Sequence, residues 1–211
     1  MVCVTAEIPE NVKLIAVNDQ IKELQTIVRD STTSPSDFVF YADRLIRLVV
    51  EEGLNQLPYT NVTVTTPIGQ QWNGIQFNKG TCGVSISRSG EAMEKALREC
   101  CRSIRIGKIL IDTDMAANRA RVLYSRLWPD IDRRRVLLLY PIMKSGNTVL
   151  QAIRVLREHG VREDKILLLT LFVTADAARK VAELHPDLTI VTSEVHPNVP
   201  SHFGMKYFGT D

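Results

Sequence analysis

Two textures of hydrophobic patterning divide the chain near Cys82. Beyond that point, nearly unbroken apolar runs alternate with segments whose apolar residues recur every three or four positions. CGVSIS (82–87) precedes SGEAMEKALRECC (89–101), VLLLY (136–140) precedes NTVLQAIRVLREH (147–159), and KILLLTLF (165–172) precedes TADAARKVAELH (174–185). GKILI (107–111) and LTIVTSEV (188–195) complete the set. Runs with little in–out alternation predict strands buried on both faces, and the periodic segments predict the helices that cover them. Repeated strand–helix units predict an α/β fold: a three-layer, doubly wound, mainly parallel sheet.

The first part of the chain is less regular. Val12–Val17 is a short apolar segment, after which Asn18 can cap a helix carrying Ile21, Leu24 and Val28 on one face. Ser34-Pro35-Ser36 marks a break. A longer helix follows, with Phe38, Ala42, Leu45, Leu48 and Val49 at helical spacing, ending near Gly53. Val62–Thr66 alternates as a strand, and Ile68–Phe77 predicts a hairpin turning at Asn73-Gly74. Asp112–Arg126 is a long polar stretch with neither pattern.

Composition narrows the field mostly by exclusion. No repeat or linker divides the 211 residues, so a single domain over 1–211 is expected. A net charge of +2 gives no reason to expect nucleic acid or a membrane surface as partner, and no apolar run reaches spanning length. Cys3, Cys82, Cys100 and Cys101 lack the spacings of zinc sites, which predicts no protein-bound metal, reduced thiols and a cytoplasmic setting. Cys100 and Cys101 are expected to be helix residues, at least one of them buried.

The candidate chemistry lies where VLLLY breaks into Lys144-Ser145-Gly146-Asn147-Thr148 and a helix opens. A strand–turn–helix unit of small residues aims backbone N–H groups and the positive end of the helix dipole at one point, which suits a phosphate monoester. Lys144 adds a full charge, and Ser145 and Thr148 add hydroxyls. Ordinary helix capping would use the same residue types. In open parallel sheets, ligands bind at the carboxyl ends of strands, where this turn lies.

Four segments together resemble the uracil phosphoribosyltransferase family: YADRLIRLVVEEGLNQLP (41–58), CGVSISRSGEAM (82–93), YPIMKSGNTV (140–149) and HFGMKYFGTD (202–211). Within it the chain is most similar to the divergent subgroup of uracil phosphoribosyltransferase homologues. The resemblance implies a type I phosphoribosyltransferase fold and the reaction of uracil with phosphoribosyl pyrophosphate to give UMP and pyrophosphate. Mg²⁺ would be carried on the pyrophosphate. Lys144–Thr148 would hold the 5′-phosphate and Arg88 the pyrophosphate; an arginine fork suits phosphate oxygens, although a solvated arginine near a helix start is the plain alternative. Asp112–Arg126 would be the loop that closes over substrate, or else an ordinary exposed connection. Ser201, His202 and Phe203 would form the uracil pocket with a C-terminal base-binding loop, while Phe203 and Phe208 could equally be core anchors. Some members are tetramers activated by GTP; Arg44, Arg105 and Arg134 fall at the GTP-contacting positions, or are solvated surface charges. A homodimer or homotetramer is implied, with residues 1–33 as a segment for oligomer contacts.

Departures from the family pattern fall on the chemistry. Tyr140 stands where an acidic residue normally binds the ribose hydroxyls, and His202 where the uracil loop normally has a carboxylate. A neutral imidazole can still take a proton from uracil N1 near pH 7. Thr113 replaces an arginine early in the closing loop, a loss that Arg119, Arg121 or Arg126 could offset. Asn147 replaces a glycine, a mild change because Asn tolerates left-handed backbone and caps helices. Pro197–Pro200 shortens the base loop. Three functions remain in view: a uracil transferase using Tyr140 and His202 in altered roles, a phosphate- or nucleotide-binding protein with little transfer activity, and a transferase for another base.

Overall fold

The structure, a computed structural model, describes residues 8–114 and 119–209. Its strands are β1 (Val12–Leu14), β2 (Tyr59–Thr65), β3 (Gln71–Phe77), β4 (Thr81–Ser87), β5 (Ile106–Asp114), β6 (Arg119–Arg126), β7 (Arg135–Leu139), β8 (Ile142–Met143), β9 (Ile166–Val173) and β10 (Thr189–Val195). Its helices are α1 (Asp19–Arg29), α2 (Pro35–Asn55), α3 (Glu94–Cys100), α4 (Asn147–Glu158), α5 (Ala175–Leu184) and α6 (Phe203–Phe208). The main sheet runs β1-β10-β9-β7-β4-β5-β6, and β8 also pairs with β9. All its pairings are parallel except β5 with β6.

Alternate residues of the same strand feed two cores, which is why the apolar runs show so little alternation. Val136 and Leu138 face α4 and α5 with Val149, Ile153, Leu156, Ala178 and Val181. Leu137 and Leu139 face α1, α2 and α3 with Leu24, Phe38, Leu45, Ile46 and Leu97. The expected three layers and mainly parallel sheet are therefore present. Asn18 caps α1 by accepting from the Ile21 N–H at 3.0 Å, and Ser34 caps α2 by accepting from Asp37.

Several expectations are corrected in detail. The β2–β3 hairpin turns at 66–70, where Gly69 has φ 83° and donates to the Thr66 carbonyl at 2.9 Å. Asn73 and Gly74 lie within β3, opposite Thr63 and Val62; Pro67 and Gly69 hold the turn, and Asn73 accepts a hydrogen bond from Thr63. Leu48 is exposed, its place in the α2 core stripe taken by Ile46 and Val50. SGEAMEKALRECC opens as a 3-10 turn over Ser89–Met93 before α3 begins. Cys100 and Cys101 are both half-buried, at the end of α3 and just past it, so neither is fully enclosed.

The largest correction concerns Asp112–Arg126. Its first residues extend β5, and Arg119–Arg126 returns as antiparallel β6 on the sheet edge. Ala120 and Val122 turn toward the core while Arg121 is exposed, a two-residue period that charge had masked. Residues 115–118 and the side chains of Thr113 and Arg119 lie outside the described residues. So do residues 1–7 of the expected N-terminal segment, with Cys3 among them. Among the described residues, no helix is long and apolar enough to cross a membrane.

Candidate active site

β4 and β7 are neighbours in the sheet, with Ser85 opposite Leu139, and the chain leaves both at the same edge. After Leu139 it runs through Tyr140 and Pro141 into β8, then through exposed Lys144 and Ser145 to Gly146. Gly146 adopts φ 76° at the N-cap of α4, with no side-chain cap. A left-handed backbone there favours glycine, and a Cβ would also stand 3.0 Å from the Val181 side chain. Two bonds from Thr174 pin the loop to the start of α5: its N–H donates to Met143 at 3.1 Å and its hydroxyl to Lys144 at 2.8 Å. Lys180 donates to Asn147 Oδ1 at 2.5 Å.

Tyr140 is half-buried and hydrogen-bonded through its hydroxyl to Thr148 in the first turn of α4. Burial pushes the phenol above its ordinary pKa, and the bond to Thr148 opposes that rise. The phenol is therefore neutral at physiological pH, a hydrogen-bonding group and no substitute for a carboxylate charge.

Arg88 is exposed immediately after β4, and the Ser87–Arg88 peptide is cis. The turn that follows crosses the end of β7: a Cβ on Gly90 would lie 2.4 Å from the Leu139 carbonyl oxygen. Only glycine allows that approach, and it brings the Arg88 turn beside the chain entering the Tyr140–Thr148 loop. The C-terminal segment closes on the same turn, since a Cβ on Gly204 would stand 3.5 Å from Ser89 Oγ. Arg88, Lys144–Thr148 and Ser201–Gly204 therefore gather at one edge of the sheet, at the carboxyl ends of β4 and β7.

Within the C-terminal segment Ser201 is exposed and Phe203 fully buried. Phe203 packs 5.4 Å from Phe38 and stacks on Tyr207 at 5.6 Å, so it is the core anchor among its two readings. Phe208 lies half-buried against the same cluster. The His202 ring lies 6.3 Å from Phe38, and its Nε2 is the one buried side-chain polar atom among the described residues without a hydrogen-bond partner. Leaving such an atom unpaired costs about 1–3 kcal/mol.

The three candidate GTP arginines do not come together. Arg105 and Arg134 line a cleft of about 590 Å³ with Arg102, Phe77, Asn78 and Cys100. Arg134 is already paired with Asp130 through two bonds of 2.5 and 3.1 Å. Arg44 lies in a different groove beside Arg47 and Lys95, and donates to Gln20 at 3.0 Å. Arg121 and Arg126 stand on β6, in register with Asp112 and Lys108.

One cluster escaped the sequence reading: Lys108 with Glu91, Glu94, Ser85 and Ser87. A charged residue inside the apolar run GKILI, with two carboxylates three apart after the adjacent strand, was the signal available. Among the described residues, no three His, Cys, Asp or Glu side chains are grouped to hold a metal ion.

The family profile of Uracil phosphoribosyltransferase matches residues 15–206. The chain is 62% identical over 205 residues to the uracil phosphoribosyltransferase homolog of Danio rerio, covering 97% of this chain and 80% of that protein. It is 43% identical over 212 residues to the uracil phosphoribosyltransferase of Dictyostelium discoideum, covering 96% of this chain and 98% of that one. Among solved structures, the AQ2163 protein of Aquifex aeolicus superposes with a TM-score of 0.80 at 18% identity, over 94% of this chain and 98% of that one. The adenine phosphoribosyl transferase of Trypanosoma brucei does so with a TM-score of 0.61 at 10% identity, over 86% and 82%. With a sheet of the type I phosphoribosyltransferase kind, a family match over residues 15–206 and identity of this extent, the chain belongs to the uracil phosphoribosyltransferase family.

Proposed function

We propose that the chain binds phosphoribosyl pyrophosphate at the carboxyl ends of β4 and β7 and transfers its phosphoribosyl group to uracil. The observation that carries this reading is the convergence of the Arg88 turn, the Lys144–Thr148 loop and the His202 segment on one edge. In the reaction uracil N1 loses its proton and bonds to C1′, while the C1′–oxygen bond breaks and its electron pair leaves with pyrophosphate. Charge grows on the leaving group, so fixed donors aimed there lower the barrier. Lys144, Ser145, the Gly146–Asn147 turn and Thr148 hold the 5′-phosphate, Arg88 meets the pyrophosphate, and Tyr140 offers a neutral hydroxyl toward the ribose. The unpaired His202 Nε2 is suited to the uracil ring or to its departing proton, and Ser201 supplies a further polar contact.

Mg²⁺ would neutralise the pyrophosphate. In this proposal the ion is carried mainly by substrate oxygens and water. The Arg102, Arg105 and Arg134 cleft is the fitting place for GTP as an activator, without Arg44. Thr113, with Arg119, Arg121 and Arg126, belongs in this proposal to the β5–β6 arm beside the substrate. A cytoplasmic setting belongs to the same proposal.

The oligomer proposed is a homodimer or higher homo-oligomer joined through the β2–β3 ribbon. Between Glu52 and Lys79 the sequence carries no Asp, Glu, Lys, Arg or His, yet Tyr59, Val64, Ile68, Trp72, Ile75 and Phe77 are exposed there. By register Tyr59, Ile75 and Phe77 share one face of the ribbon and Val64 and Trp72 the other, so on the order of 300 Å² of apolar surface faces each way, a part of the about 800 Å² that each partner of a standard interface buries. A neutral ribbon meets its own copy without like-charge repulsion, and an isolated two-stranded ribbon gains stability from such a partner.

A second reading is a phosphate-binding protein with little transfer activity, favoured by Tyr140 bonding to Thr148 where the family has a carboxylate. Calorimetric titration of phosphoribosyl pyrophosphate with Mg²⁺, then uracil, separates the readings. Binding followed by UMP is the expected result. Binding without UMP selects the second reading, turnover only with another base selects a different transferase, and no binding overturns the proposal.

A further inference from the structure

Lys108 stands on β5 directly opposite Ser85 of β4 and reaches across to the segment that follows β4. Its ammonium lies 2.9 Å from Glu91 Oε1 and 3.4 Å from Glu94 Oε1. The same Glu91 oxygen accepts from Ser87 Oγ at 3.0 Å, and the same Glu94 oxygen accepts from Ser85 Oγ at 2.6 Å. One cation thus gathers two carboxylates, each of which also takes a hydroxyl from β4. Ser85 and Ser87 share a strand face because they are two residues apart.

The environment makes this more than a loose surface pair. Ser85 is fully buried and the Glu94 side chain is 14% exposed, so charge and hydrogen-bond energies are screened less than at an open surface. The hydrogen bond from Lys108 holds the Glu91 carboxyl below its ordinary range, and the same bond holds the Lys108 ammonium above its own. Glu91 is bonded to Ser87, four residues before it, so the network brackets Arg88 from both sides. Arg88 itself forms none of these bonds. It is an exposed side chain on a turn whose two ends are tied to β4 and β5.

We propose that Lys108 is a positioning residue: through Glu91 it fixes the 87–91 turn and so aims Arg88 at the pyrophosphate of the substrate. This rests on the reading that Arg88 meets pyrophosphate. Without Lys108, Glu91 and Glu94 repel each other beside β4, and the turn loses the tie that sets the direction of Arg88.

The test measures affinity for phosphoribosyl pyrophosphate with Mg²⁺, together with the thermal midpoint, for the wild type, Lys108→Met, Lys108→Arg, Arg88→Ala and the Lys108→Met/Arg88→Ala double variant. Lys108→Met is expected to weaken binding by about tenfold. Lys108→Arg should restore most of it, and the double variant should bind no worse than Arg88→Ala alone, because the two act on the same contact. If Lys108→Met does not fold, Glu91→Gln, which keeps the shape and removes the charge, takes its place in the same cycle. A lowered midpoint with unchanged affinity overturns the proposal, as do losses that add in the double variant. A wild type that does not bind overturns the underlying reading instead, and the inference with it.

Discussion

Tyr140 and Thr148 are hydrogen-bonded to each other across the loop expected to hold phosphate. The hydroxyl that the sequence offers to a ligand is thus shared with the residue expected to stand in for the ribose carboxylate. A hydrogen bond of this kind contributes about 1 kcal/mol, and Thr148 is buried in the first turn of α4. Tyr140→Phe should therefore lower the thermal midpoint by roughly 2–4 °C, read by calorimetry. Tyr140→Asp restores the family's acidic residue and is expected to raise UMP formation over wild type; an unchanged rate would move the limiting step to His202.

Gly90 is required by packing and not by backbone conformation. A methyl group there would stand 2.4 Å from the Leu139 carbonyl oxygen at the end of β7, where neither partner is a flexible side chain. Gly90→Ala should cost about 2–3 kcal/mol in urea unfolding and should disturb substrate binding as well, since the same turn carries Arg88. Wild-type stability in this variant would mean that the turn does not sit over β7.

The β2–β3 ribbon gives a different kind of readout. Placing charge on it, as in Trp72→Lys combined with Ile68→Glu, should convert the proposed oligomer to monomer in sedimentation velocity while the far-ultraviolet circular dichroism is kept. A sedimentation profile identical to wild type would remove the ribbon from the interface.

The thiols along the 590 Å³ cleft should be slow to react. Burial, with the neighbouring Glu51 carboxylate, pushes the Cys100 thiol up to about 12, and Cys101 is raised by the same causes. The thiolate is the reactive form, so at pH 8 only about one Cys100 in ten thousand is ionised. Alkylation by iodoacetamide, followed by mass spectrometry, should run about a thousandfold slower than at an unperturbed cysteine. It should speed up as pH rises toward 12. Rapid labelling at pH 8 would show the cleft to be open to water.

The parallel sheet was legible because β7 and β9 are buried on both faces and carry unbroken apolar residues, a pattern loops do not imitate. The turn at Lys144–Gly146 was legible for the same reason, since it follows such a run closely. β6 was hidden because its outward arginines outweigh Ala120 and Val122 in any reading that weights charge over alternation. Asn73-Gly74 misled because a good turn dipeptide can also lie inside a strand when Pro67 and Gly69 make the turn a few residues earlier. The convergence of Ser89, Leu139 and Gly204 could not be read at all. It depends on β4 lying next to β7 and on where the C-terminal helix returns, and local sequence specifies neither.

The strands that carry Arg88 and the Tyr140 loop touch side by side, yet the β5–β6 arm lies between them along the chain. The proposed pocket is therefore incomplete until distant stretches of polypeptide have found each other. During refolding, helical signal should return before ligand affinity does. A nascent chain emerging from the ribosome would, on this proposal, stay unable to hold phosphoribosyl pyrophosphate and uracil together until α6 had been synthesised and docked.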